Sequence, residues 1–414
     1  MTQTATPVRA DIVIAGGGYA GLTLALALAQ ALGAGRSIIV IDRGEPRDAA
    51  AGDPRASAIS AASKCMLDVL GLWPRLAGEA QPVSEILLTD SSLNAGVRPV
   101  LLTFDNIVPG GEPATYIVPN AALGAALTEA VAAVPSLAVW ARAEATGFDA
   151  DDLGVTVWLA DQRSVRASLL IAADGRRSPL RDAAGIEIVG WGYPQIGIVT
   201  AVAHERPHGG RAVQHFLPGG PFAILPLKGN RSAITWSEDA ERAREVLALD
   251  EEGFLAEVDK RFGGRLGALR LDGPRGSWPL EMHLARRFVA SRFALVGDAA
   301  HGVHPIAGQG LNLAIRDAAA LTEVVTEAAR LGLDPGDGAA LNRYELWRRF
   351  DSALSAATFD GLNRLFSNDW ALLRSAREFG LALVNRLPSL KQLFVEEAAG
   401  LSGELPRLLR GERV

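Results

Sequence analysis

Three glycine-rich turns, each entered from a short apolar run, stand far apart in this chain. The first is Gly16-x-Gly18-x-x-Gly21 after Asp11-Ile-Val-Ile-Ala15, with Asp42 lying 21 residues beyond Gly21. Glycines at this spacing allow a tight turn, let backbone amides approach a pyrophosphate, and let the next helix pack closely with its positive end toward phosphate. Asp42, with Arg43 beside it, ends a second β-branched run where a carboxylate can accept hydrogen bonds from an adenosine ribose. Gly16, Gly18, Tyr19, Ala20, Gly21, Asp42 and Arg43 are thus candidate dinucleotide ligands. The second turn is Ala173-Asp174-Gly175-Arg176-Arg177-Ser178-Pro179-Leu180-Arg181, after Leu169-Leu-Ile-Ala172. An Asp-Gly pair alone is an ordinary turn. The guanidinium forks of Arg176, Arg177 and Arg181 suit phosphates, and equally suit solvated charge. The third is Phe293-Ala-Leu-Val-Gly297-Asp298-Ala-Ala-His301, continuing through Pro305-Ile-Ala-Gly308-Gln309-Gly310-Leu-Asn312 into a helix.

The elements around the first turn read as a βαβ unit. Leu22 to Leu32 is Ala/Leu-rich and stops at Gly33 and Gly35, and Ser37-Ile-Ile-Val-Ile41 is the second strand, so the sheet is parallel. A middle stretch carries strand signals at Ile86 to Thr89, Thr115 to Val118, Gly154 to Leu159, Ile196 to Ala203 and Phe222 to Leu227, which predict a separate, largely antiparallel sheet. Phe222 to Leu227 reads both as core strand and as an apolar cavity wall. The later turns return to the nucleotide fold, which makes that domain discontinuous. The predicted class is α/β (α+β): a Rossmann-like domain of residues 1–80, 119–185 and 281–330, a β-sheet substrate domain of 81–118 and 186–280, and C-terminal helices over 331–414. Gly190-Trp-Gly192-Tyr-Pro194 imitates a second nucleotide turn, but Pro194 and the β-branched run after it leave no helix to meet phosphates. Any nicotinamide cofactor therefore lacks a nucleotide fold of its own.

Composition narrows the classes. Of 414 residues, 41 are Lys or Arg and 47 are Asp or Glu, a net charge of −6, which gives no electrostatic footprint for nucleic acid. Hydrophobic residues make up 49 %, enough for a sizeable core. The single cysteine, Cys65, rules out an internal disulfide and a thiolate metal cage, and reads as a packing residue in a reducing compartment. The N-terminus lacks the pattern of an export signal, and no apolar run reaches the roughly 18 to 20 residues of a membrane span. The expectation is a cytoplasmic protein, soluble or peripheral on the inner membrane.

Together the three turns resemble the class A flavoprotein monooxygenases of p-hydroxybenzoate hydroxylase type. The resemblance is closer to the ubiquinone-biosynthesis hydroxylases, on Asp53-Pro-Arg-Ala-Ser-Ala-Ile-Ser60, Leu70-Gly-Leu-Trp73, Gly220-Pro-Phe-Ala-Ile-Leu-Pro226, His304-Pro-Ile-Ala-Gly-Gln-Gly-Leu-Asn312 and Asp360-Gly-Leu-Asn-Arg-Leu-Phe-Ser367. Leu405-Pro406 and Arg410-Gly411 also match. One departure is Ala212-Val-Gln-His-Phe216, where relatives commonly carry Glu near Gln214. The resemblance implies FAD, with the first turn on its ADP part, Asp174 near pyrophosphate, Arg55 and Asn120 along its middle, and Gly297 and Asp298 on the ribityl chain. It implies NAD(P)H as co-substrate, O2, and a flavin C4a-hydroperoxide that hydroxylates a prenylated phenol or other aromatic. Pro305, Gly308, Gln309, Gly310, Leu311 and Asn312 open a helix whose positive end would face the flavin and stabilise its reduced anion.

That chemistry requires neither a metal nor a protein nucleophile, and no catalytic residue is assigned. His215, His304 and Tyr193 are candidate bases for a phenol, although residues so placed are more often structural. His301 is expected to fix its turn, and Trp191 and Trp236 to pack. From Trp370 to Val414 there are 7 basic and 5 acidic residues, with leucines, Phe379 and Phe394 at helical spacing. This segment reads either as a face against an anionic membrane or as a helix packed on its own domain or a partner subunit, within a homo-oligomer or a ubiquinone-biosynthesis complex. The rival functions are a same-fold flavoenzyme acting on a soluble aromatic or reducing a prenyl chain, and a non-catalytic flavin-fold subunit of a biosynthetic complex. A halogenase is disfavoured, because Trp-x-Trp-x-Ile-Pro is absent.

Overall fold

The computed structural model describes residues 7–44, 53–90, 100–305, 308–366 and 388–414. Ile306 and Ala307 of the third turn, Ser367, and residues 370–387 of the C-terminal segment, Phe379 included, lie outside the described residues.

Ile12–Ala15, Ile38–Ile41, Leu169–Ala172 and Phe293–Leu295 are apolar from end to end and fully buried. Strands covered on both faces read this way, and these four lie side by side in a six-stranded sheet. Its order is Val289–Ala290, Phe293–Leu295, Leu169–Ala172, Ile12–Ala15, Ile38–Ile41 and Leu137–Trp140. All neighbours are parallel apart from the short hairpin of Val289–Ala290 with Phe293–Leu295. Burying each Ile or Leu of this sheet contributes roughly 1.5–3 kcal/mol. The helix Tyr19–Leu32 packs on it and ends where Gly33, at φ 73°, returns its N–H to the Ala29 carbonyl.

A second, nine-stranded sheet has Ile188–His204, Arg231–Asp239, Gly220–Leu227 and Arg211–Leu217 at its centre. It is antiparallel throughout except where Arg211–Leu217 runs parallel to Glu85–Asp90. Two strands expected in this sheet belong elsewhere. Thr115–Pro119 pairs with Ala56–Ser60 and Gln81–Pro82, and Gly154–Leu159 joins a four-stranded sheet with Val8–Arg9, Ser164–Ala167 and Ala145–Asp151. Alternation along a strand sets which face is buried but does not name its partner. Gly190 to Pro194 lies inside the strand Ile188–His204, at an irregularity in its pairing, and forms no nucleotide turn.

The helix Gly310–Arg330 packs against Tyr19–Leu32 and carries a wholly buried ion network. Asp317 accepts from the Gly297 amide at 3.0 Å, from Arg348 Nε at 2.7 Å, and bonds His301 Nε2 at 2.6 Å. Burial opposes the Asp317 charge, but His301 and Arg348 outweigh it and hold the carboxyl below its usual range. The stabilisation this gives is present above about pH 4, the unfolded-chain value, and is lost as pH falls below the lowered folded value. In urea unfolding, Arg348→Met is expected to cost about 3–5 kcal/mol, because it leaves a buried carboxylate short of one of its two charged partners. A change below about 1 kcal/mol would show that the network carries no such role.

Candidate cofactor and substrate site

The register of the parallel strands brings the three turns together. Ala15, Ala172 and Leu295 are direct neighbours at the carboxyl ends of their strands, and Ile41 lies beside Ala15. The Ala173 amide donates to the Ala15 carbonyl at 2.7 Å, and the Val296 amide to the Ala172 carbonyl at 2.9 Å. Ligands of open α/β sheets bind at such strand ends.

Two cavities open there. One, of about 250 Å³, is lined by Gly16, Gly18, Asp42, Arg43, Glu144, Asp174 and Gly175 among others. The other, of about 630 Å³, takes Tyr19, Ala20, Arg55, Asn120, Arg176, Asp298, Pro305, Gly308, Gln309, Gly310 and Leu311 on its polar side. Gly18, Ala173 and Gly175 line both, so the cavities meet where the first and second turns adjoin.

Local geometry explains the residue types. Gly16 has φ 111°, and a Cβ there would lie 2.1 Å from the Ala173 carbonyl oxygen. At Gly21 a Cβ would lie 1.9 Å from the Gly16 oxygen. Tyr19–Leu32 begins with no side-chain cap and no acid in its first turn, so its free amides meet the cavities with the positive end of the helix dipole. Gly310–Arg330 begins the same way. Asp42 accepts hydrogen bonds from the Gly17 amide and, at 2.6 Å, from the Gly44 amide. Both Asp174 oxygens are buried with no partner of hydrogen-bond geometry among the described residues, and burial raises this carboxyl although Ser178 and Leu180 partly offset the rise.

A polar cluster forms along the larger cavity. Asp53 accepts from Arg55 Nε at 2.8 Å, Arg55 Nη2 at 2.7 Å and the Tyr19 hydroxyl at 2.9 Å. The Ser57 hydroxyl donates to Asn120 Oδ1 at 2.7 Å. Burial works against the Asp53 charge, but Arg55 and Tyr19 win and its carboxyl falls to about 2. Arg55 is raised, mainly by its bond to Asp53. Asp298 faces Arg176 Nε at 3.3 Å, and the Asp298 carbonyl bonds His283 Nε2 at 2.9 Å.

Of the residues named from sequence, Gly21, Gly297 and Asn312 line neither cavity. They position others: Gly297, at φ 62°, reaches Asp317, while Asn312 donates to the Ala58 carbonyl at 2.7 Å and accepts from the Ser60 amide at 3.0 Å. Arg181 is buried, and its Nη1 donates to the Arg176 and Ala299 carbonyls, tying the second turn to the third. Asp53 and Trp278 were not singled out as site residues from the sequence. Asp53 stands in a quoted motif two residues before Arg55, and that spacing was the available signal; Trp278 carries none.

The opposite wall of the larger cavity is apolar and comes from the nine-stranded sheet. Ala223 and Leu225 line it while Phe222 and Ile224 point into a separate core on the far face, so both readings of this strand hold. Trp236 belongs to that far core, and Trp191 is partly exposed against Asp360; neither lines the cavity. Phe394, Val395 and Ala398 of the helix Pro388–Ala398 complete the wall, with Phe394 edge-on to Phe104 at 6.4 Å. The candidate bases stand back from it. His215 bonds Thr89 at 2.5 Å, Tyr193 donates to Asp360 at 2.7 Å and is raised by burial, and His304 is 1 % exposed with neither ring nitrogen partnered among the described residues. Among the described residues no His, Cys, Asp and Glu group could hold a metal.

The FAD-binding domain model, FAD_binding_3, matches residues 9–348. The chain is 47 % identical to the ubiquinone hydroxylase UbiL of Rhodospirillum rubrum, over 97 % of this chain and 93 % of that one. It is 34 % identical to the 3-demethoxyubiquinol 3-hydroxylase of Escherichia coli, over 94 % and 98 %. The p-nitrophenol 4-monooxygenase PnpA of Pseudomonas putida has the same fold, with a TM-score of 0.79 at 21 % identity over 96 % of this chain and all of that one. The chain belongs to the FAD-dependent monooxygenases, in the family of the ubiquinone hydroxylases.

The donor set fits FAD: two uncapped helix ends and a glycine turn that a Cβ would obstruct face the paired cavities, and the buried Asp174 belongs to the wall of the smaller one. Gly16→Ala is expected to weaken FAD retention at least about ten-fold, which is read from flavin absorbance after dialysis against wild type. Full retention would mean that the turn does not carry the pyrophosphate. Burial lowers His304 to about 4, so its neutral form is the stable one. Stability from this group is complete above about pH 6.5 and declines by up to roughly 3 kcal/mol as pH falls toward 4, and His304→Leu should flatten that limb of the unfolding profile. An unchanged limb would remove His304 from the account.

Proposed function

We propose that this enzyme hydroxylates the ring of a polyprenylated phenol in ubiquinone biosynthesis, using NAD(P)H and O2. The observation that carries the reading is the joined pair of cavities, polar and helix-capped on one side and apolar on the other. The cofactor and substrate regions follow the division given above, 1–80, 119–185 and 281–330 against 81–118 and 186–280.

In this reading Gly16, Gly18, Tyr19, Ala20, Asp42, Arg43 and Asp174 hold the nucleotide half of FAD, while Arg55, Asn120 and Asp298 hold its middle. When bound, FAD supplies hydride acceptance from NAD(P)H and the activation of oxygen. The amides at Gly310 and Leu311 supply fixed positive potential to the ring end, and need no reorganisation during reaction. The apolar wall of Ala223, Leu225, Phe216 and Trp278 excludes water and accepts an aromatic ring with its tail. A prenylated phenol partitions into lipid, so the reading puts the enzyme in the cytoplasm, peripherally at the inner membrane or within a biosynthetic complex. Among the described residues no helix is long and apolar enough to cross a membrane.

The test is oxidation of NADH or NADPH by purified holoenzyme under labelled oxygen with a short-chain prenylphenol. The expected result is phenol-stimulated oxidation and one labelled oxygen atom in the ring product. Oxidation without oxygen uptake would replace the reading with a reductase, and a protein that binds no flavin would replace it with a non-catalytic subunit.

A further inference from the structure

Among the described residues, the wall of the larger cavity contains a buried amide oxygen with no hydrogen-bond partner. Asn106 lines this cavity, is 0 % exposed, and its Oδ1 is buried with no partner among the described residues. The rest of the residue is fully engaged. Its amide N–H donates to the Ser84 carbonyl at 3.0 Å, its carbonyl accepts from the Ala114 amide at 2.8 Å, and Nδ2 donates to the Val83 carbonyl at 2.9 Å. Exchanging Oδ1 and Nδ2 would set oxygen against the Val83 oxygen, so the bond to Val83 fixes which atom is left over.

A buried acceptor without a donor is unfavourable, and this one is held on a backbone locked in both directions. Its setting is apolar: Val83, Leu102, Phe104 and Ile117 line the same wall. Its bonding partners, Val83, Ser84 and Ala114, lie outside the three glycine-rich turns, so the unused acceptor belongs to the sheet side of the cavity. The group that would satisfy this acceptor is neutral, brings one O–H donor, and is otherwise apolar. A phenol meets all three requirements.

We propose that Asn106 Oδ1 accepts the hydrogen bond of the substrate's ring hydroxyl and thereby sets the orientation of the ring. This rests on the hydroxylase reading and adds to it a residue that selects for the hydroxyl. Acceptance polarises the O–H bond, which leaves more electron density on the ring that is to be oxidised. Asn106 transfers no proton; it touches substrate and places it.

The experiment titrates FAD-loaded enzyme with a short-chain 2-prenylphenol and with the matching prenylbenzene, which lacks the hydroxyl, and follows the perturbed flavin absorbance. Wild type is expected to prefer the phenol about ten-fold or more, because prenylbenzene leaves Oδ1 unpaired. In Asn106→Leu the preference should fall to within about two-fold, with prenylbenzene bound at least as well as before. Should that variant not fold, Asn106→Ala replaces it in the same comparison, with the same outcomes deciding. Equal affinity of wild type for the two ligands, with hydroxylation intact, overturns the assignment and is the result expected if a resident water satisfies Oδ1. A preference that persists in a folded Asn106→Leu also overturns it. Failure of the phenol to bind or to stimulate NAD(P)H oxidation overturns the hydroxylase reading itself.

Discussion

Everything in the site depends on the alignment of three parallel strands whose carboxyl ends stop level with one another. Ala15, Ala172 and Leu295 are hydrogen-bonded neighbours, although 157 and 123 residues of sequence separate them in turn. A slip of one residue in any of these pairings would invert the strand and move its turn away from the shared crevice. The buried Ile, Val and Leu side chains on both faces make such a slip expensive, so the core supplies the precision that the site uses.

The second contribution is electrostatic and comes largely from backbone. Two helices begin at the crevice without capping side chains, and both leave amides directed where negative charge would collect. Fixed dipoles of this kind work best when they cannot relax. The Asp317, His301 and Arg348 network provides that rigidity by clamping the Gly297 amide from beneath, while Arg181 bolts the neighbouring turn to it. The polar side is thus stiffened by buried charge, whereas the opposing wall is shaped by side chains of a sheet.

Much of this was legible in residue order. The first turn, its helix and Asp42 follow from glycine spacing and β-branched runs, because those features act locally and leave local marks. The resemblance placed Arg55, Asn120 and Asp298 near a single ligand, and they do line one cavity. Partner choice among strands was not legible: Thr115–Pro119 has the pattern of a sheet strand whichever sheet it joins. Asp53 and Asn106 were missed for a related reason, since what distinguishes them is which groups surround them in space. Trp278 likewise owes its place to the neighbouring strand and to no motif of its own.

The helix Pro388–Ala398 forms part of the cavity wall although it comes from the last tenth of the chain. A ribosome must therefore release this stretch, long after the three glycine-rich turns, before the larger cavity can close. Until then the nascent protein displays an open apolar trough, and its earliest strand waits for a neighbour not yet synthesised. Contacts so distant along the chain slow folding, and the interval is one in which a chaperone has a clear surface to hold.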